Sequence, residues 1–284
     1  EDVTWAVRLF KSLPRITAPD GRFRQAIVLG LDDATLIGAP HGKLRLGRIE
    51  DLREPDAILI DYAGYRYFWP DGELELGRTM EMNDRRVKIV GIVDASAPFA
   101  TFPVVFSRYS QAVLFVGRER NQMSFVLAKA APDIAPAALA ERISNATGLT
   151  ALTGDAWAWR TMKYYLKNTG IPVNFGITIG IALIVGIVVM GQTFYLFTIE
   201  NLKQFGALKA IGVADRTLVG MILLQALTVG VIGYSIGMGI CAAFFEITKH
   251  NIPTRGLVVL PEAFIGVAVV VLAIVIVASL LSIR

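Results

Sequence analysis

Catalytic and metal chemistry have little to build on in this sequence. There is one cysteine, Cys241, inside an apolar run, and there are two histidines, His41 and His250, far apart and in unrelated contexts. A lone cysteine excludes an internal disulfide framework and any cysteine-based metal site, and it leaves the redox compartment open. Two distant histidines give neither a zinc site nor a nucleophile–base pair a starting point. A phosphate cradle is missing as well. The nearest approach to G-x-x-x-x-G-K-[ST] is GAPHGKL, residues 38–44. It has one residue too few between its glycines, and Leu44 stands where the Mg²⁺-binding hydroxyl belongs, so it reads as a turn. The pair Asp32-Asp33 follows a strand-like run and reads as turn or helix-capping duty rather than acid–base work. Lys and Arg number 28 against 24 acids, a net charge of +4, and they are scattered among the acids, which disfavours nucleic acid as a partner.

What the chain has in excess is hydrocarbon. Of its 284 residues 54% are hydrophobic and the mean hydropathy is +0.53, more than a soluble core of this size can hide. The excess is uneven: residues 1–167 hold most of the charge, and from Asn168 onward charges are sparse and clustered. Three uncharged runs, Asn174–Ile199, Thr217–Phe245 and Ala263–Ile283, reach the roughly 20 apolar residues a bilayer span needs. They are too long for a buried core helix and have no charged face for a membrane-surface helix. The spans hold no lone ionisable residue of the kind that makes a proton or ion site, and Glu246 beside Lys249 reads as interfacial.

Two Gly-x-x-x-Gly pairs, Gly176 with Gly180 and Gly233 with Gly237, lie in these spans. Such pairs let helix backbones approach closely in lipid, so they read as a seam that could also serve a homodimer. Glycine is common in membrane helices, and the spacing alone does not choose between seam and background. Ahead of the first span, residues 155–172 mix Trp157, Trp159, Tyr164 and Tyr165 with Arg160, Lys163 and Lys167. Rings with polar edges favour the headgroup level and long basic side chains snorkel there, so a helix at the membrane surface is expected. Pro172 either kinks that helix or marks the start of the span.

Residues 1 to about 150 read as a soluble domain of strands and helices. Strand-like runs fall at 24–32, 56–61, 85–95, 102–107 and 124–130, separated by turn signals such as Pro19-Asp20-Gly21 and Pro70-Asp71-Gly72. Helical patterns fall near 109–117 and 134–147. The aromatic clusters Tyr62, Tyr65, Tyr67, Phe68, Trp69 and Phe99, Phe102, Phe106 read as core and rim, with a docking patch as the weaker alternative.

Between the first two spans lies ENLKQFGALKAIG, residues 200–212. Placing Glu200, Lys203 and Lys209 in hydrocarbon would cost roughly 2.5–3.5 kcal/mol for each charge, so the segment leaves the bilayer. Leu202, Phe205, Leu208 and Ile211 recur every three residues along one side of a helical stretch. Gly206 and Gly212 are expected to interrupt it, the second as a C-cap, with Asp215 placed to N-cap the next span. The pattern fits a docking helix or an ordinary amphipathic connector. Counting juxtamembrane basic residues does not orient it: Lys203, Lys209, Arg216 and Arg284 face Arg160, Lys163, Lys167, Lys249 and Arg255.

ENLKQFGALKAIGVADRTLVGMILLQALTVGVIGYSIGM resembles the signature of the FtsX-like permease family. YYLKNTGIPVNFGITIG, GQTFYLFTIENLKQFGALKAIG, GLDDATLIGAP and EDLREPDAILIDYAGY together resemble the DevC-type branch of MacB-like ABC exporter permeases, over nearly the whole chain. The resemblance implies an α+β extracytoplasmic domain over 1–153, an interfacial amphipathic helix over 154–173 and spans over 174–199, 217–245 and 263–284. A cytoplasmic coupling segment over 200–216 and a short extracytoplasmic loop over 246–262 would join the spans. The resemblance also implies four spans with the large domain between the first and second, so a first span is expected upstream of Glu1. The implied function is a non-enzymatic permease subunit of an ATP-driven exporter in a bacterial inner membrane, with a periplasmic domain and a lipid-like or other amphiphilic cargo. The alternative is a regulator that relays ATPase state to an extracytoplasmic enzyme. The implied partners are an ABC-type ATPase dimer that carries ATP and Mg²⁺, a second copy of the chain, membrane lipid, and an adaptor with an outer-membrane channel. The chain itself would bind no cofactor. ATPase coupling falls to Glu200, Lys203, Phe205, Gly206, Leu208, Lys209 and Gly212 by this resemblance.

Overall fold

The computed structural model describes residues 2–40, 43–95, 102–116, 123–251 and 260–282, without side chains at 249–251 and 280–282. His41, Phe99, Arg255 and Arg284, and the side chains of Lys249 and His250, lie outside the described residues. The chain divides into two compact units with the break after Asp155.

The first unit is a mixed sheet with short helices. Its strands are β1 (Val3–Ser12), β2 (Arg15–Thr17), β3 (Phe23–Gln25), β4 (Ile27–Leu31), β5 (Leu44–Gly47), β6 (Ala57–Asp61), β7 (Thr79–Met82), β8 (Arg85–Val93), β9 (Val104–Arg108) and β10 (Phe125–Ala130). Among the described residues they form one sheet of order β10-β1-β4-β9-β6-β8-β7-β2-β3, with β5 paired to β8. The β4–β9 and β6–β8 pairs are parallel and the others antiparallel. The helices are α1 (Tyr62–Phe68), α2 (Tyr109–Val116), α3 (Pro136–Thr147) and a 3₁₀ turn at Ile49–Arg53.

The central strand β6 is AILID, buried at every position. A strand covered on both faces needs such a run, because successive side chains point to opposite sides. Ile58 and Ile60 join the larger core, where Tyr65 and Phe68 of α1 and Phe115 of α2 pack. Ala57 and Leu59 join a second cluster with Leu52, Val93 and Phe106. The aromatic run at 62–69 is therefore core, with Tyr62, Tyr67 and Trp69 packed half-buried against it, and the docking alternative gives way.

Expected strands and helices at 24–32, 56–61, 85–95, 102–107, 124–130, 109–117 and 134–147 have counterparts here. β1, β2, β5, β7 and α1 do not come from that reading. β1 is long because it serves two neighbours, β10 along Val3–Leu9 and β4 along Phe10–Ser12.

Asp32 and Asp33 do turn and cap work. Asp32 accepts from the Thr35 backbone N–H (3.0 Å) and hydroxyl (2.7 Å). These bonds hold its carboxyl below the usual carboxylate range, the backbone bond contributing most. Asp33 reaches across to α2, accepting from the Ser110 hydroxyl at 2.7 Å and its backbone N–H at 3.2 Å. Asp61 is different: it is buried at the end of β6 and accepts from the Val104 N–H at 2.8 Å. Burial pushes its pKa up to about 6, against the pull of the Val104 and Gly64 N–H groups.

The second unit is helical: α4 (Gly154–Asn168), α5 (Ile171–Glu200), α6 (Leu202–Ala210), α7 (Asp215–Asn251) and α8 (Pro261–Ser282). Three of these helices, α5, α7 and α8, are long and apolar enough to cross a membrane. Pro172 falls at the first turn of α5, where its missing N–H costs nothing, so it opens the span and does not kink it. α7 continues to Asn251, past the boundary at 245 drawn from charge alone. Phe194 of α5, Ala226 of α7 and Val275 of α8 form the centre of the helical packing, with Met190 and Val271 beside them.

Candidate functional site

The site begins where α5 stops. A single residue, Asn201, closes α5 and opens α6. Its side-chain amide donates to the Phe197 carbonyl at 2.8 Å, and its own carbonyl accepts from Gln204 and Phe205 at 3.0 Å. An elbow of one residue leaves α6 no slack relative to the end of the span.

α6 ends in a built stop. Gly212 has φ of +96°, a left-handed conformation that side-chain-bearing residues avoid. Its N–H bonds the Lys209 carbonyl at 3.0 Å, and the Val213 N–H bonds the Leu208 carbonyl at 3.1 Å. That pair of bonds is the Schellman arrangement, which satisfies the last carbonyls of a helix. α7 then starts at once, with Thr217 and Leu218 bonding the Ala214 carbonyl. Asp215 is the first residue of α7 and does not cap it. Its carboxylate pairs with Lys209 Nζ at 2.8 Å, across the turn.

Two expectations are corrected. Gly206 does not interrupt α6; it lies inside the helix, with open space where a side chain would be. Asp215 clasps the preceding helix instead of capping its own. Of the four apolar residues, Phe205 and Leu208 are half-buried, while Leu202 and Ile211 at the two ends are 62% and 79% exposed. Glu200, Lys203 and Lys209 are also exposed, so α6 presents a charged surface bounded by two exposed apolar residues.

The glycine pairs do not join helices within the described part of the chain. A Cβ at Gly176, Gly180, Gly233 or Gly237 would meet nothing within 4 Å. Gly233 and Gly237 instead line an apolar groove of about 440 Å³, bordered by Met190, Tyr234, Met238, Val267 and Val271. The close approach is made by Gly230, where a Cβ would sit 2.7 Å from Val275 Cγ2. One turn away the Tyr234 hydroxyl donates to the Phe264 carbonyl at 2.9 Å, tying α7 to the start of α8. Trp157, Trp159, Tyr164 and Tyr165 are all exposed on α4, a helix with no buried residue.

Residues 159–284 match the family model described as the FtsX-like permease C-terminal domain. Over that stretch the chain is similar to FtsX-like permeases. The three long apolar helices, the Asn201 elbow and the turn after α6 all lie inside the matched region. An uncharacterized ABC transporter permease of Mycobacterium tuberculosis is 24% identical over 212 residues, covering 72% of this chain and 54% of that protein. Another, from Mycobacterium bovis, is 25% identical over 239 residues, covering 83% of this chain and 61% of that protein. The chain thus spans little more than half the length of these curated relatives. Among solved structures, the periplasmic region of MacB from Actinobacillus actinomycetemcomitans superposes with a TM-score of 0.41 at 17% identity, over 60% of this chain and 78% of that one. The extracellular domain of the ABC-type transporter YknZ from Gram-positive bacteria gives 0.40 at 12% identity, over 53% and 80%. With that similarity and three apolar helices of spanning length, the chain is a multi-pass membrane protein.

Asn201, Asp215 and Gly230 were not singled out as site residues. Asn201 had a signal, since Asn between two helical runs is a common cap and turn residue. Gly230 had none, being one glycine of a glycine-rich span whose partner, Val275, is distant in sequence.

Proposed function

We propose that this chain is the permease subunit of an ATP-driven ABC exporter of the MacB-like, DevC-type branch, working by mechanotransmission. An ABC-type ATPase dimer, which carries the ATP and Mg²⁺, docks on α6 of each of two permease copies. Glu200, Lys203, Phe205, Gly206, Leu208, Lys209 and Gly212 form the coupling surface. The chain lies in the bacterial inner membrane, with α6 in the cytoplasm and residues 1 to about 170 outside. Closure of the ATPase dimer moves α5 and α7, and the outer domains shift to expel a lipid-like or other amphiphilic cargo. A membrane-fusion adaptor and an outer-membrane channel complete the route. The open glycines on α5 and α7 are available to helices of the second copy.

The observation that carries this reading is the construction of α6. It is a charged helix between two spanning helices, held by a one-residue elbow at Asn201 and by a glycine-dependent stop and an ion pair at its end. A passive connector has no need of fixed geometry at both ends. A lever has, because a push at its middle must reach both spans instead of being lost in the turns. The direct experiment is ATP hydrolysis by the partner ATPase in proteoliposomes, with wild-type permease and with Gly206→Trp. Loss of stimulation with normal insertion supports the reading, and unchanged stimulation contradicts it. Cargo export measured in the same cells separates transport from relay to an outer enzyme.

A further inference from the structure

α4 is solvent-exposed along its whole length, and its basic residues form a stripe. With about 100° of rotation per residue, Arg160, Lys163 and Lys167 fall within an arc of about 60°. All three are exposed, and no ion pair within the described residues holds them. Asp155, the acid of this helix, lies at its opposite end. On the flank adjoining this stripe Trp159, Met162 and Leu166 are exposed, and Tyr165 is exposed further round, with Trp159 at 62% and Leu166 at 55%. Leaving four large apolar side chains bare beside three uncompensated cations is expensive in water and natural at a membrane surface.

Position decides which surface that is. Only Thr169 and Gly170 separate α4 from α5, the uncharged helix of spanning length. The Thr169 N–H still bonds the Tyr165 carbonyl and the Asn174 N–H bonds the Gly170 carbonyl, so the backbone is hydrogen-bonded up to the junction on each side. The headgroup layer that begins where α5 enters lipid is therefore within a few residues of the stripe.

We propose that α4 is a binding site for anionic phospholipid, with Arg160, Lys163 and Lys167 engaging headgroup phosphates and the Trp159–Met162–Leu166 side resting in the acyl boundary. This inference rests on the membrane reading of the permease domain and goes beyond it by assigning lipid charge selectivity to three named residues. A basic side chain near an anionic surface contributes about fivefold in affinity, so three together favour anionic over neutral lipid by up to about a hundredfold. The bond is electrostatic and weakens with salt.

The test uses the full chain in nanodiscs of phosphatidylcholine with graded phosphatidylglycerol. Quenching of tryptophan emission by brominated phosphatidylglycerol is compared with quenching by brominated phosphatidylcholine. The wild type is expected to enrich the anionic lipid at α4 and to lose the enrichment as salt rises. R160Q/K163Q/K167Q is expected to quench equally with both lipids, a fall in preference of about tenfold or more. The salt dependence of the wild type keeps the inference testable even if the triple variant fails to insert. Equal quenching of the wild type by both lipids, or a preference that survives in the triple variant, overturns it. Extraction of the wild type from vesicles by alkaline carbonate would instead sink the membrane reading itself, so the two failures are distinguishable.

Discussion

Lys209 Nζ lies 2.8 Å from Asp215 Oδ1, so the last turn of α6 is clasped to the first residue of α7. The two residues flank Gly212, whose left-handed conformation makes the reversal between them possible. Both side chains are mostly exposed, and such a pair contributes only about 0–1 kcal/mol. The glycine carries more of the turn than the ion pair does. Direction is the more important contribution of the clasp, since it restricts α6 to one course relative to α7. K209Q is accordingly expected to leave thermal unfolding in detergent within about 1 kcal/mol of wild type and to reduce ATPase stimulation partially, with a deficit that narrows in high salt because salt screens the wild-type pair.

Gly212→Ala places a Cβ at φ +96°, at a cost of roughly 1–2 kcal/mol. The variant relieves that strain by unwinding the Schellman turn. Expected is near-normal membrane insertion with a large loss of permease-stimulated ATP hydrolysis. Stimulation equal to wild type would show that the geometry of the turn is immaterial.

Gly230 and Gly237 occupy one helix and make opposite predictions. A side chain at Gly230 meets Val275 Cγ2, so Gly230→Leu must part α7 from α8, with a loss of about 1–3 kcal/mol from overpacking. Its midpoint of unfolding in detergent is expected to fall. Gly237→Ala meets nothing within 4 Å among the described residues and is expected to leave that midpoint unchanged. Any effect at Gly237 should appear in assembly, read by cross-linking of two tagged copies.

Asp61 makes the first unit sensitive to pH. Its folded pKa of about 6 lies above the ordinary carboxyl value of 3.8, so the folded state binds the proton more tightly than the unfolded chain. Stability from this group is full below pH 3.8 and is lost as pH rises through about 6, by on the order of 3 kcal/mol in all. Asp61→Asn retains an oxygen for the Val104 N–H and removes the ionisable group. The unfolding midpoint of the variant, measured between pH 4 and 7, is expected to vary less with pH than that of wild type. An identical slope in both would remove Asp61 as the source.

Much of this was legible in the sequence, and the residues that were not share a cause. The run AILID identified its strand because burial on both faces leaves a continuous apolar signature. The strands at Arg15–Thr17 and Leu44–Gly47 are three and four residues long, too short for alternation to register, and exist because a neighbour pairs with them. Tyr62–Phe68 read ambiguously because aromatic residues suit strands, helix faces and docking surfaces alike. In the candidate site, the length and charge of α6 were readable from the energetic cost of burying Lys203 and Lys209. The continuity of the helix through Gly206 was not. Glycine in an exposed helix costs only about 1 kcal/mol, which nine residues anchored at both ends can absorb. Asp215 was assigned to the nearest helix end because local capping rules see only neighbours. The side chain turned to Lys209, a partner that exists only once Gly212 has reversed the chain.

The central claim is that α6 is held by a nucleotide-hydrolysing subunit. The most direct test places a photo-activated cross-linker at Gly206, which is exposed and open to a larger side chain. After irradiation of native membranes, the adduct is sequenced by mass spectrometry. The expected product joins Gly206 to a polypeptide carrying an ABC-type nucleotide-binding domain, with a yield that changes when ATP hydrolysis is blocked. A cross-linker at Gly206 that reacts only with solvent, while the assembled complex still exports cargo, would contradict it.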